Sequence, residues 1–262
     1  MKIQYLGTSA AEGIPAIFCE CSTCKKARSI GGRNIRTRSQ AMIDDELLID
    51  FPPDTYMHFL QYHLPLSKIT HCFITHSHAD HFCADTVKEL FNEKARRIWC
   101  NETVAEKLCG IAECNAVLAG DGFCAGKYSV TALKANHTPV MAGENTLLYN
   151  ISDGEKSIFY GLDSAWLPYE TWSALLKAPV DCMILDVTLG DAEGDYRIFE
   201  HNNIPMVDIM LQTARSQKAL KEGGKAVGTH FSKYEHKCHE KLSERLEQLG
   251  MLAAYDGMEI EI

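Results

Sequence analysis

Short apolar runs with strand character recur along the chain, at 2–6, 47–51, 70–75, 98–101, 129–134, 146–151, 157–162, 182–187 and 225–229. Between some of them the apolar spacing turns helical, at 82–95, 102–109, 168–177, 205–222 and 233–249. Two of these helices carry boundary signals. Ser232-Lys233-Tyr234-Glu235 fits a capping box, with Ser232 as N-cap and Glu235 at the third helical position. The pattern at 205–222 starts after Asn202-Asn203, has Pro205 in its first turn, and stops at Gly223-Gly224. The runs 146–151 and 157–162 flank Ser152-Asp153-Gly154-Glu155 and read as a hairpin. Hairpins in places and strand–helix alternation elsewhere predict sheets covered by helices in one α/β domain spanning 1–262. No linker divides the chain and no fixed-period repeat runs through it.

Composition narrows the class. The 262 residues are 46% hydrophobic and 23% charged, ordinary for a globular protein with a sizeable core. No apolar run is long enough to span a bilayer, and Met1-Lys2-Ile3-Gln4-Tyr5-Leu6-Gly7 reads as a first strand rather than an export signal. A cytoplasmic protein with no membrane partner is expected. Lys and Arg number 26 against 35 Asp and Glu, a net charge of −9. That balance disfavours nucleic acid and leaves room for a local pocket for one small anion. The 11 cysteines are odd in number, so reduced thiols are expected, several of them (Cys72, Cys100, Cys182) as small core residues.

The chemistry is concentrated after the run at 70–75. His76, His78, Asp80 and His81 follow it within six residues, before a helical stretch begins. A strand end, a short loop and a helix start can aim four side chains into one small volume. Imidazole and carboxylate donors suit Zn²⁺, Mn²⁺ or Fe²⁺ in a catalytic site.

The spacing His76-x-His78-x-Asp80-His81 resembles the signature of the metallo-β-lactamase fold, whose families share a four-layer αββα sandwich. The later positions of that signature are matched in order by His137 in Lys134-Ala135-Asn136-His137-Thr138, by Asp163 in Tyr160-Gly161-Leu162-Asp163-Ser164, and by His230 in Gly228-Thr229-His230-Phe231-Ser232. The resemblance covers essentially the whole chain. It implies that His76, His78 and His137 hold one divalent metal, that Asp80, His81 and His230 hold the other, and that Asp163 bridges them. Two cations about 3.5–4 Å apart would activate a shared water as hydroxide, with Asp80 also orienting that water. Asp50, ending the run at 47–51, is either a hydrogen-bond partner of a ligand histidine or a turn carboxylate.

Two features point to a branch of the fold. Cys19-Glu20-Cys21-Ser22-Thr23-Cys24 has the spacing of a structural zinc loop. With the stretch around it, it resembles the phosphoribosyl cyclic phosphate phosphodiesterase family of bacterial phosphonate breakdown. That family's fourth zinc ligand is a His three residues after the last active-site His, and Lys233 stands there instead. The alternatives are His236 one helical turn on, a non-protein ligand, or an empty site, against three incidental thiols. The second feature is His201, in Phe199-Glu200-His201-Asn202-Asn203, a segment where the same family has a His. His201 is either a catalytic proton donor or phosphate contact, or a histidine packed at the start of the next helix. Arg36 and Arg38 are either phosphate contacts or solvated strand-edge charges.

The resulting expectation is a metal-dependent phosphodiesterase acting on a small, cyclic or linear, phosphate diester. Its expected catalytic residues are Asp80 and His201. Its expected cofactors are two active-site metals (Zn, Mn or Fe) and an additional structural Zn. The resemblance also implies a homodimer. A tRNA 3′-end-processing type of endonuclease, a lactone or thiolester hydrolase, and a non-catalytic metal-binding module are the competing readings.

Overall fold

The apolar runs become strands because both of their faces are covered. The computed structural model describes residues 1–90, 96–138 and 141–262. The first half of the chain builds one sheet from β1 (Lys2–Gly7), β2 (Gln40–Ile43), β3 (Leu47–Ile49), β4 (His71–Phe73), β5 (Arg97–Cys100) and β6 (Cys114–Ala116). The second half builds another from β7 (Gly122–Ala125), β8 (Tyr128–Lys134), β9 (Leu147–Ser152), β10 (Ser157–Gly161), β11 (Val180–Asp186), β12 (Leu220–Thr229) and β13 (Leu252–Ala253). The last strand, β14 (Glu259–Glu261), returns to the free edge of the first sheet beside β1.

Alternation along each strand sorts the side chains into three apolar layers. Tyr5, Ile43, Ile49 and Phe73 of the first sheet meet Val130, Tyr149, Tyr160, Ile184 and Val227 of the second in a central core. Leu148, Phe159, Met183 and Leu185 point the other way. There they pack under α5 (Tyr169–Lys177), α6 (Ile204–Ser216) and α7 (His239–Glu247), through Leu175, Val207, Met210 and Leu246 among others. Leu48, Cys72, Ile98 and Cys100 face outward from the first sheet, towards Val87 of α3 (Ala84–Leu90) and Val104 of α4 (Glu102–Lys107). The layers are therefore helix, sheet, sheet, helix, as expected.

Three boundaries differ from the sequence expectation. The helix beginning at Ile204 ends at Ser216, not 222. Lys218 takes a left-handed φ of 61° and the chain enters β12 at Leu220, so Gly223-Gly224 lies inside a strand. The pairing of β11 with β12 shifts register between Val180 and Cys182, which makes room for the glycine pair. The capping box at Ser232–Glu235 does not form. Ser232 Oγ instead donates to Glu12 at 2.8 Å, residues 233–235 make a turn, and α7 starts only at His239. A tertiary acceptor from a distant part of the chain has outcompeted the local cap. The helix expected at 82–95 is α3 as far as Leu90, and 91–95 lies outside the described residues. Helices α1 (Ser22–Ile30) and α2 (Thr55–Tyr62), and strands β2, β6, β7, β13 and β14, carried too little periodicity to be foreseen.

Topology positions the site. β3 runs parallel to β4, and β10, β11 and β12 are mutually parallel. β8 is antiparallel to β9, which is antiparallel to β10, so β8 also runs with the parallel set. The carboxyl ends of β3, β4, β8, β10, β11 and β12 therefore open onto one edge of the sandwich. Asp50, His76, His137, Asp163, Asp186 and His230 lie at or just beyond those ends.

Candidate dinuclear metal centre

Three of these residues stand in the left-handed region of backbone space: Asp50 (φ 67°), Asp163 (φ 53°) and His230 (φ 62°). Non-glycine residues seldom adopt it, and it recurs where a site fixes the direction of a side chain. Here it turns each side chain sharply off its strand and into the space between the sheets' ends.

The donors converge in two groups that share Asp163: His76, His78, His137 and Asp163, and Asp80, His81, His230 and Asp163. In the first, His78 Nδ1 is 2.9 Å from His76 Nε2 and 3.0 Å from His137 Nε2. In the second, His81 Nε2 is 3.3 Å from His230 Nε2, and each lies 3.4 Å from Asp80 Oδ2. Asp163 Oδ2 sits 3.1 Å from His81 Nε2 and 3.4 Å from His76 Nε2, while Oδ1 sits 3.0 Å from His230 Nε2. The buried Asp163 Oδ1 nevertheless makes no hydrogen bond.

The opposite ring nitrogens explain why these contacts are not ordinary hydrogen bonds. His81 Nδ1 donates to Asp50 Oδ2 at 2.7 Å, His137 Nδ1 to the Glu200 carbonyl at 3.0 Å, and His230 Nδ1 to Thr188 Oγ1 at 2.7 Å. His76 Nδ1 lies 2.9 Å from Thr75 Oγ1, which itself donates to Asp50. With Nδ1 of each ring hydrogen-bonded outward, four Nε2 atoms face each other and a carboxylate. Ligands of a tetrahedral ion bound at about 2.0–2.1 Å lie about 3.3 Å apart, the spacing seen here. The residues fit two divalent cations.

Burial and the neighbouring charges act on these groups in opposite directions. His76 is held well below the ordinary imidazole range by burial and by the neighbouring His81. Burial also opposes charge on His81, but Asp163, Asp80 and Asp50 outweigh it and hold that ring well above the usual range. Asp80 and Asp163 stay well below the carboxylate range despite their burial, because His81 and His230 surround them.

Asp50 therefore reaches both groups, through His81 directly and through Thr75 towards His76. Replacing it with Asn should weaken metal retention about 10–100-fold in a chelator competition, as for other residues that orient a ligand histidine. Unchanged retention would mean Asp50 is only a turn residue. Glu144, which the sequence did not single out, fixes the loop between His76 and His78: it accepts from Ser77 N and Ser77 Oγ, each at 2.8 Å.

Beside the cradle, His201 Nδ1 donates to Asp186 Oδ2 at 2.6 Å. The His201 ring stacks on His230 at 5.3 Å and tilts against His137 at 4.9 Å. Asp186 and His201 also lie within ligand reach of Asp163 and His230. Asp186 has partners of its own, accepting from Thr188 N at 2.7 Å and from the Thr188 hydroxyl on Oδ1 and from His201 on Oδ2. Burial lowers the His201 pKa, but Asp186, then Asp163 and Asp80, outweigh it and raise it to about 9. Asp186 has no sequence signature, since it is one acid at the end of an apolar strand.

His78, Asp80, His137, Asp163, His201 and His230 line a cavity of about 360 Å³ with Glu12, Arg197, Ser232 and Tyr234. Neither arginine considered from the sequence lines it. Arg36 is buried, donating to Thr8 Oγ1 and the Ala254 carbonyl at 2.6 Å each, and Arg38 pairs with Asp54 at 3.0 Å. Arg197 does line it, with Nε held by Asp195 at 3.0 Å and Nη2 by Glu235 at 3.0 Å.

The thiols of Cys19, Cys21 and Cys24 also converge, without a histidine in their group. His236 is not their fourth partner. It is buried, and its Nε2 donates to the Val187 and Thr188 carbonyls at 2.8 and 3.1 Å, since the turn at 233–235 replaces the helix that would have aimed it at the thiols. Lys233 instead stands near enough to Cys19 for the two side chains to favour each other's charged forms. Among the described residues, the four protein ligands of a closed structural zinc site are not assembled.

Residues 46–231 match the family described as the beta-lactamase superfamily domain. The chain belongs to the β-lactamase superfamily. Its solved structural neighbours share the sandwich throughout. A diphosphatase from the PhnP family is 21% identical at a TM-score of 0.76, with 100% of this chain and 98% of that one covered. Zn²⁺-bound PqqB from Methylobacterium extorquens is 18% identical at 0.74, with all of both chains covered. Human tRNase Z, short form, is 18% identical at 0.66, covering 100% and 99%. No curated protein sequence matches the chain. Among the described residues no helix is long and apolar enough to cross a membrane. The superfamily and the clustered donors make this chain a metal-dependent hydrolase.

Proposed function

We propose that the chain hydrolyses a small phosphate diester, with His201 supplying the proton to the departing oxygen. The observation that carries this reading is the Asp186–His201 pair, set against both metal groups while belonging to neither ligand set. Two divalent cations of the Zn, Mn or Fe class supply, when bound, a water acidic enough to attack and positive charge for the substrate's oxygens. Everything else is done by side chains. Asp80, lining the cavity next to Asp163, orients the attacking water. Asp186 fixes the His201 tautomer and ring plane and keeps its proton in place, leaving Nε2 to deliver it. Arg197 offers the cavity a guanidinium oriented by two carboxylates, suited to an anionic substrate on a chain of net charge −9. A cavity of this size accommodates a small molecule. The diphosphatase similar in fold is consistent with phosphorus as the centre attacked.

Metal-loaded protein is expected to turn over bis-p-nitrophenyl phosphate, and Asp80→Ala to abolish that turnover while the fold persists by circular dichroism. Hydrolysis of a lactone, a thiolester or a precursor tRNA, with small diesters inert, would replace this reading.

A further inference from the structure

Cys21 is the N-cap of α1, and its sulfur accepts the backbone N–H of Cys24 at 3.5 Å. Cys24 is fully buried in the first turn, its own sulfur accepting the Ala16 N–H at 3.3 Å. Cys19 is half-exposed on the preceding loop, and all three sulfurs lie within 4.8 Å of one another. A half-exposed thiol whose sulfur converges with a buried thiol in a helix's first turn, with a lysine ammonium nearby, is the arrangement of a thiol that reacts and a thiol that resolves. An ammonium cannot ligate a metal while protonated, but it stabilises a thiolate.

We propose that Cys19 and Cys24, whose sulfurs converge beside Lys233, form a thiol–disulfide exchange site. The co-reactant is a low-molecular-weight disulfide, RSSR. The Cys19 thiolate attacks one sulfur of RSSR, forming Cys19–S–SR and releasing RS⁻. The Cys24 sulfur then attacks the Cys19 sulfur and gives up its proton to the departing RS⁻. Cys19–S–S–Cys24 forms, and RSSR has been reduced to two thiols. Cys21 keeps its capping role throughout. Consistent with this division, the Cys21 backbone N–H, with the side chains of Cys21, Cys24 and Lys233, brings the Cys19 thiol down to about 7, whereas burial pushes Cys24 up to about 11.

The site is tied to the cradle. Glu12 accepts from Ser232 Oγ and from Lys233 N at 2.9 Å, and Thr23 Oγ1 donates to the His236 carbonyl at 3.0 Å. The turn that follows the metal-binding His230 is therefore bonded to the cysteine loop on both sides.

The test is to treat the reduced full-length protein with glutathione disulfide, alkylate it and map it by mass spectrometry. A Cys19–Cys24 crosslink is expected, with the protein lighter by two hydrogens. Cys24→Ser should stop at a mixed disulfide of Cys19 with one glutathione. Lys233→Ala should slow the first step about tenfold at neutral pH. Metal content is measured on the same samples. A zinc ion lost only in Cys19→Ser, with the three thiols inert to glutathione disulfide in the parent protein, overturns the proposal. So does a Lys233→Ala variant that reacts at the parent rate. Because mass is the readout, the outcome is independent of which ester the cradle hydrolyses.

Discussion

Replacing Asp163 with Asn should cost the protein at least one of the two cations that the proposed function calls for, and lower the proposed diester hydrolysis by more than a hundredfold. Asp163 is the residue common to both donor groups, with oxygens within 3.0–3.6 Å of Nε2 of His76, His81, His137 and His230. Among the described residues Asp163 is the one carboxylate common to both groups, since Asp80 belongs to the second alone. Two dications close together repel strongly in a low-dielectric site, and the bridging carboxylate is what offsets that repulsion. Asn preserves the shape and the left-handed backbone, which amides tolerate, so the loss is electrostatic rather than steric. The loss should exceed the factor of about 10–100 that goes with removing a group that merely orients a ligand. Elemental analysis of dialysed protein, beside the diester assay, checks it. Two metals per chain in Asp163→Asn would remove Asp163 from the bridging role.

The local signature of the cradle is visible in sequence because one strand exit carries four donors. His76, His78, Asp80 and His81 sit within six residues, and chain geometry alone brings them together. His137, Asp163 and His230 are legible only through resemblance, because nothing local says that three distant strand ends open on the same edge. The left-handed φ of Asp163 and His230, which aims them, leaves no mark on composition. Asp186, a single acid at the end of an apolar strand, has no local signature either. Its partner His201 was noticed as a histidine in a loop, but the acid that orients it is 15 positions away at the end of a buried strand.

Where the sequence misled, a long-range partner displaced a local one. Ser232 and Glu235 have capping-box spacing, yet Ser232 bonds Glu12, some 220 positions away, and Glu235 bonds Arg197. The helix then starts six residues late, and His236 lands against the Val187 and Thr188 carbonyls instead of the thiols. The arginines show the reverse. Arg36 and Arg38 were weighed as phosphate contacts for their charge, whereas Arg36 is buried behind Phe231, its guanidinium 4.3 Å from that ring's centre. Arg197, in a segment with no pattern, is the guanidinium that lines the cavity.

His201→Ala should separate substrates by their leaving groups. A diester that expels an alkoxide needs a proton on the departing oxygen, and loss of a positioned acid costs about 10²–10⁴ in rate. p-Nitrophenolate leaves as a stable anion, so bis-p-nitrophenyl phosphate should lose less than about tenfold. Asp186 decides the pH range. Burial works against the imidazolium, but Asp186, with Asp163 and Asp80 behind it, lifts His201 to about 9, and bound cations would draw it back down. An acid must be protonated to act, so turnover of alkoxide-leaving substrates should fall as pH rises through the His201 pKa. Asp186→Asn removes the largest stabilising charge and should move that falling limb to lower pH, while leaving the p-nitrophenyl limb in place. A structural role for the pair would instead depress both substrates equally and shift neither profile. That equal loss, seen in stopped assays across pH 6–10 (a range of about two units either side of neutral to alkaline crossover), would remove His201 from the proton-donor role.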